Sequence, residues 1–125
     1  MIEGALLQYL AGRHPADPNE SRRGMSQTPS IGRIVHYTLT EQDTDAINRR
    51  RADGVRARTA DARSGAVIHY GNTVTAGDVY PAMVVRVWEF NSTNLQVFLD
   101  GNDTYWAASK SEGDQPGTWH WPERV

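Results

Sequence analysis

The sequence contains no cysteine. That excludes a disulfide framework and any thiolate zinc site, and it fits a reducing compartment. Positive charge is not in excess: 13 Lys and Arg against 15 Asp and Glu leave a net charge of −2. The basic face of a duplex nucleic-acid binder therefore has no global counterpart. No apolar run approaches the roughly 20 residues of a membrane span. The short stretch at residues 5–11 follows Glu3 instead of a basic segment, and does not read as a signal peptide. Catalytic signatures are missing too. There is no G-x-S-x-G, no Walker-type glycine loop and no thiol nucleophile. His14, His36, His69 and His120 fall into neither H-x-x-x-H nor H-E-x-x-H spacing, so no metal site is expected. These absences point to a soluble, cytoplasmic binding domain with no catalytic residues and no cofactor.

What is present fits one domain, since 125 residues leave room for a single modest core. Residues 1–28 read as a flexible N-terminal extension. The stretch from His14 to Gly24 is polar and contains prolines, and it buries too little to offset its ordering entropy. Met25 is a second candidate initiator. The domain proper runs over 29–125. Residues 31–39 are β-branched and aromatic and predict a strand, with Val35, Tyr37 and Leu39 sharing one face. Thr40 followed by Glu41 and Asp43 resembles a capping box, so a helix should start there and run to Arg51 or Ala52. Its apolar stripe is narrow and predicts a mostly exposed helix, with Gly54 as its stop. Residues 53–64 read as an exposed arginine-rich loop, and 66–70 as a short strand.

Residues 80–90 form the clearest strand pattern. Leu95–Leu99 alternates, Asp100-Gly101-Asn102-Asp103 signals a tight turn, and 104–108 supplies its partner strand. One strand, a long insertion over 40–75, then consecutive short strands predict a mainly β fold. The expected architecture is a small SH3-like barrel with a helix-containing insertion after the first strand.

Two chemistries stand out. Tyr105-Trp106 and Trp119-His120-Trp121 place large rings late in the chain. One tryptophan face should close the core, but four tryptophans are many for one small core. An exposed ring offers a stacking platform for a base, worth about 1–3 kcal/mol. The run Arg49-Arg50-Arg51 complements a helix C-terminus or forms a phosphate patch. Arg33 and Arg86 lie within strand patterns, where a charge must face water or find a partner.

Two end motifs carry a resemblance. Ile31-Gly32-Arg33-Ile34-Val35-His36-Tyr37 and Gly117-Thr118-Trp119-His120-Trp121-Pro122-Glu123 resemble a widespread family of small phage proteins, and residues 77–84 and 94–102 are similar too. The chain is thereby similar to anti-CBASS sponge proteins, which sequester cyclic oligonucleotide signals of bacterial defence without cleaving them. The resemblance implies a homo-oligomer, a tetramer, acting in the host cytoplasm with ligand pockets shared between subunits. A cyclic dinucleotide needs ring faces for its bases, cations for its phosphates and polar groups for base edges. The candidates are Tyr37, Trp119 and Trp121 for stacking, His36 and His120 for phosphate or ribose, Arg33 and Arg124 for phosphate, and Asn102 or Asn48 for a base edge. Two rival readings differ in class. One is a Tudor- or PWWP-like peptide reader with a cage of Tyr37, Tyr80 and Trp106. The other is a small structural component of the virion.

Overall fold

The computed structural model describes residues 27–60 and 68–124. The N-terminal extension, apart from Gln27 and Thr28, and the expected strand start at Ala66 and Val67 lie outside the described residues. Five strands and one helix follow in the order β1 (Ile34–Thr38), α1 (Glu41–Ala60), β2 (Val79–Val87), β3 (Thr93–Phe98), β4 (Thr104–Lys110) and β5 (Trp119–His120). A short 3₁₀ turn, Glu89–Asn91, joins β2 to β3. The strands form one antiparallel sheet in the order β4-β3-β2-β1-β5. It curls into a small barrel because the chain beyond β4 meets β5. The Trp119 N–H donates to the Ser111 carbonyl at 3.1 Å, and the Gly113 N–H to the Trp119 carbonyl at 2.8 Å. This is the expected mainly β, SH3-like barrel with a helix inserted after its first strand.

Period 2 decides which side of each strand is enclosed. Val35, Tyr37 and Leu39 of the first strand region point inward, with Ala82, Val84, Leu95, Val97, Leu99, Ala107 and Trp119. All are buried, and Trp119 is the largest of them. Each large apolar side chain enclosed this way contributes roughly 1.5–3 kcal/mol. Tyr37 and Trp119 face each other across the β1–β5 ladder, so one pair of rings fills the barrel centre.

The capping box forms. Thr40 Oγ1 accepts from the Asp43 N–H at 2.9 Å, and the Thr40 N–H donates to Asp43 Oδ2 at 3.0 Å. The rest of α1 departs from expectation. It continues through Gly54 to Ala60, since Ala and Arg beyond the glycine are good helix formers. Nor is it mostly exposed. Asp43, Ile47, Arg51 and Gly54 are buried, a 4-4-3 spacing that places them on one helix face. Two of the four are charged, which is why an apolar stripe was not visible. Gly54 is buried for want of space: a Cβ there would lie 2.7 Å from the His69 carbonyl oxygen. Asn48 ties the helix to the next segment, accepting from the Val74 N–H at 2.8 Å and donating to the Val74 carbonyl at 2.9 Å.

Residues 68–70 join no strand. Gly71 instead makes an isolated bridge to Gly101. β2 ends at Val87, short of the expected Phe90, because the chain turns into the 3₁₀ segment. Among the described residues no helix is long and apolar enough to cross a membrane.

Candidate ligand-binding site

The barrel has two ends. At one lie the start of β1, the ends of β2, β4 and β5, and the start of β3. Here Arg33 and Trp121 meet, with the guanidinium carbon 4.9 Å from the ring centroid. Trp121 packs edge-on against buried Trp119, ring centroids 5.3 Å apart. Core packing therefore fixes the ring over which Arg33 lies. Arg33 is exposed and donates to the Gln27 side chain. Among the described residues no carboxylate pairs with it. The indole N–H of Trp121 is enclosed and has no hydrogen-bond partner within the described chain. Buried donors are seldom left unpaired.

His36 and His120 face each other across the same β1–β5 ladder. Their rings meet edge-to-face at 5.7 Å. Strand alternation turns them to the outer face of the barrel, opposite to Tyr37 and Trp119. Nδ1 of His120 is enclosed and unpartnered among the described residues. Arg124 follows on the exposed segment after β5.

Four candidate residues are not available for a ligand in this way. Tyr37 and Trp119 are 0% exposed and offer no stacking face. The Tyr37 hydroxyl donates to Asp43 at 2.6 Å, and the Trp119 indole N–H to the Lys110 carbonyl at 3.1 Å. Asn102 sits at the far end of the barrel. Its amide is engaged with backbone, accepting from the Tyr70 N–H at 2.9 Å and donating to the Ile68 carbonyl at 3.1 Å. Asn48 is used likewise at Val74. The structure thus brings together Arg33 with Trp121, and His36 with His120, and separates the remainder. The rings of a Tyr37–Tyr80–Trp106 cage do not converge either, since Tyr37 is buried and Trp106 is 59% exposed on the outer face.

A second arginine–tryptophan stack was not among the sequence candidates. Arg86 lies 3.8 Å over the Trp88 ring. It belongs to the same barrel end, because β2 pairs with the residues just before β1 there: the Gly32 N–H donates to the Val84 carbonyl at 2.8 Å, and the Val84 N–H to the Arg33 carbonyl at 2.9 Å. The signal was an arginine inside an apolar strand pattern, and its ring partner two residues on. A bulge between Val84 and Arg86 breaks the alternation, which hid where the two side chains point.

The arginines of the insertion are spent differently. Arg50 and Arg51 both donate to Asp103 Oδ2 at 3.0 Å. Burial works against the ionised form of Asp103, but the bonds from Arg51 and Arg50 outweigh it and hold its carboxyl below the usual range. Arg56 pairs with Asp53. Two shallow surface depressions lie away from Arg33 and Trp121. One of about 540 Å³ is lined by Thr40, Glu41, Gln42, Lys110 and Pro116 among others. One of about 520 Å³ is lined by His69, Phe98, Asn102, Asp103 and Thr104 among others. Comparison with protein-family models, with curated proteins and with solved structures finds no match for this chain.

Proposed function

We propose that this chain is a non-catalytic binding protein that sequesters a cyclic oligonucleotide. The observation that carries the reading is the Arg33–Trp121 stack. It offers an arginine fork without a carboxylate partner among the described residues, on a ring held in place from behind by Trp119. A phosphate can take the fork and a base can take an exposed ring edge or face. The His36–His120 pair on the same two strands adds imidazole donors for phosphate or ribose. The resemblance of the two end motifs to phage sponge proteins gives the biological sense: immune evasion in the host cytoplasm, with the signal held intact and withheld from its effector.

The same reading includes self-association, with a tetramer as its expected form and ligand sites completed between copies. Its support is the outer sheet face. Ile34, Met83, Gln96 and Trp106 form one row across four strands. Ile34, Val85, Phe98 and Trp106 are 37–59% exposed on the barrel surface. Such apolar surface is what copies of a chain cover when they assemble.

Isothermal titration with a panel of cyclic di- and trinucleotides tests the reading, followed by chromatography of the recovered ligand. Saturable heat with the ligand returned unchanged supports sequestration. Cleaved ligand would make the protein a nuclease, and the absence of heat with every member of the panel would end the nucleotide reading.

A further inference from the structure

The connection from β2 to β3 is built in an unusual way. Phe90 is 96% exposed. It sits at φ 59° and ψ 29°, in the left-handed region that a bulky residue rarely adopts. Asn91 follows at φ 59°. The corner is nevertheless well tied. The Trp88 N–H donates to the Ser92 carbonyl at 2.6 Å, and the Ser92 N–H to the Glu89 carbonyl at 3.4 Å. The Trp88 indole N–H donates to Asn94 Oδ1 at 2.9 Å, and Asn94 is itself buried and also accepts from the Ser109 N–H at 2.8 Å. A firmly held corner thus presents an aromatic ring to solvent at a cost in backbone strain. Strain of this kind collects where a surface binds something. Nothing in the fold requires Phe90: the core is complete without it.

The neighbours of Phe90 define the chemistry. The Arg86 guanidinium carbon lies over the Trp88 ring, 3.8 Å from its centroid, and among the described residues no carboxylate pairs with it. Trp88 is 42% exposed and cannot swing away, because Asn94 holds its N–H. Cation, pinned ring and free ring are three residues out of five in sequence. That set suits a phosphate beside an aromatic base. Glu89, exposed and between the two aromatics in sequence, adds a negative charge that disfavours a phosphate beside it. A carboxylate can accept from a base edge that carries amino protons.

We infer that Arg86, Trp88 and Phe90 form a second half-site for the cyclic nucleotide, taking one base and one phosphate while Arg33 and Trp121 take the other pair. This rests on the nucleotide reading above and extends it to residues that reading does not use. A cyclic dinucleotide has two bases and two phosphates, and one end of the barrel carries two arginine–tryptophan stacks.

Titration of the full chain with 3′,3′-cyclic di-GMP and 3′,3′-cyclic di-AMP tests the inference, with Arg33→Ala, Arg86→Ala, Phe90→Ala and Phe90→Gly beside the wild type. Loss of one stacked base weakens binding by about five- to 150-fold, and Arg86→Ala and Phe90→Ala should each fall in that range. Phe90→Gly should weaken binding equally while raising the melting temperature by a few degrees, because glycine relieves the strained φ. A purely structural Phe90 would not move those two readouts in opposite senses. Glu89→Gln should narrow the difference between the two nucleotides. If Arg33→Ala weakens binding while Arg86→Ala and Phe90→Ala stay within about twofold of wild type, a change too small for a lost stacking contact, the second half-site is wrong and the nucleotide reading stands. If the wild type binds neither cyclic dinucleotide, the second half-site is wrong, and the nucleotide reading falls only if the rest of the cyclic di- and trinucleotide panel also gives no heat.

Discussion

Tyr105 on β4 donates its hydroxyl to Asp43 Oδ1 at 2.8 Å, joining the first turn of α1 to a strand 62 residues later. Tyr37 on β1 donates to the other carboxylate oxygen at 2.6 Å. One buried carboxylate therefore fixes helix to sheet at two strands, and its remaining contact is the capping bond from Thr40. Removing it would leave the buried Tyr37 hydroxyl, the half-buried Tyr105 hydroxyl and the Thr40 N–H without this partner, at about 1–3 kcal/mol each. Asp43→Ala is expected to destabilise the fold by about 3 kcal/mol or more, read by urea unfolding. A loss below about 1 kcal/mol would mean that the helix is held mainly by Ile47.

The same network makes stability depend on pH. Burial works against the Asp43 carboxylate, but bonds from Thr40, Tyr37 and Tyr105 outweigh it and hold its pKa below the usual value. A lowered folded-state pKa means stability that is full above the unfolded carboxylate range and lost as pH falls through the folded one. Tyr105 moves the other way: burial first, and then the bond to Asp43, push its pKa up to about 12. Burial raises Tyr37 further in the same direction. Raised tyrosine values give stability that is full below about pH 10, the unfolded value, and lost as pH climbs toward 12. Denaturation at a series of pH values should show both limbs. In Tyr105→Phe the alkaline limb should shrink; an unchanged limb would place the alkaline loss elsewhere.

Arg51 and Arg50 touch the same oxygen of Asp103 but differ in burial, at 5% and 30% side-chain exposure. Truncating Arg51 removes the enclosed partner of Asp103, whose side chain is 2% exposed, and leaves it only the more exposed Arg50, so Arg51→Ala should cost about 3 kcal/mol. Arg50→Ala should cost about 1 kcal/mol or less, since solvent screens it. Equal effects in thermal melts would contradict this division.

Gly54→Ala should reverse the usual rule. In an open helix interior that change stabilises by about 1 kcal/mol. Here the new methyl would sit 2.7 Å from the His69 carbonyl oxygen, so a loss of about 1–3 kcal/mol is expected. A raised melting temperature would show that the helix and the 68–70 segment are not so closely packed.

Trp119→Ala and Trp121→Ala separate fold from site. The first empties the barrel centre and should cost about 3–5 kcal/mol. The second removes a half-buried ring and the seat of Arg33, so cyclic-nucleotide affinity should drop with the melt largely kept. Arg33→Ala should do the same. Collapse of the fold in Trp121→Ala would assign that ring to the core instead.

How far the sequence could be read depends on the kind of interaction. Alternation in residues 31–39 and 95–99 marked the inward faces, and the Asp-Gly turn and the Thr40 cap marked two boundaries, because each rests on neighbours in the chain. α1 runs past its expected end because Gly54 carries a helix stop signal locally and a packing role in the tertiary structure. Candidate site residues divided on the same ground. A tyrosine or tryptophan has the same composition whether it stacks a base or fills a core. Tyr37 and Trp119 went inside because β1 and β5 pair with both residues on the enclosed face, and Trp121 stayed half outside because β5 ends at His120.

The sequence by itself determined the class of this protein: one mainly β domain with a helix inserted after its first strand and a surplus of rings near its end. Those follow from periodicity, turn chemistry and composition, which act over a few residues. Only the tertiary structure decided that Asp43 and Asp103 are buried hubs, that the insertion's Arg50 and Arg51 are bound to a strand-side carboxylate, and that two arginine–tryptophan stacks share one end of the barrel. Those outcomes depend on how the helix packs on the sheet, on which distant strands pair and on their register, since a one-residue slip turns a strand's side chains to the opposite face.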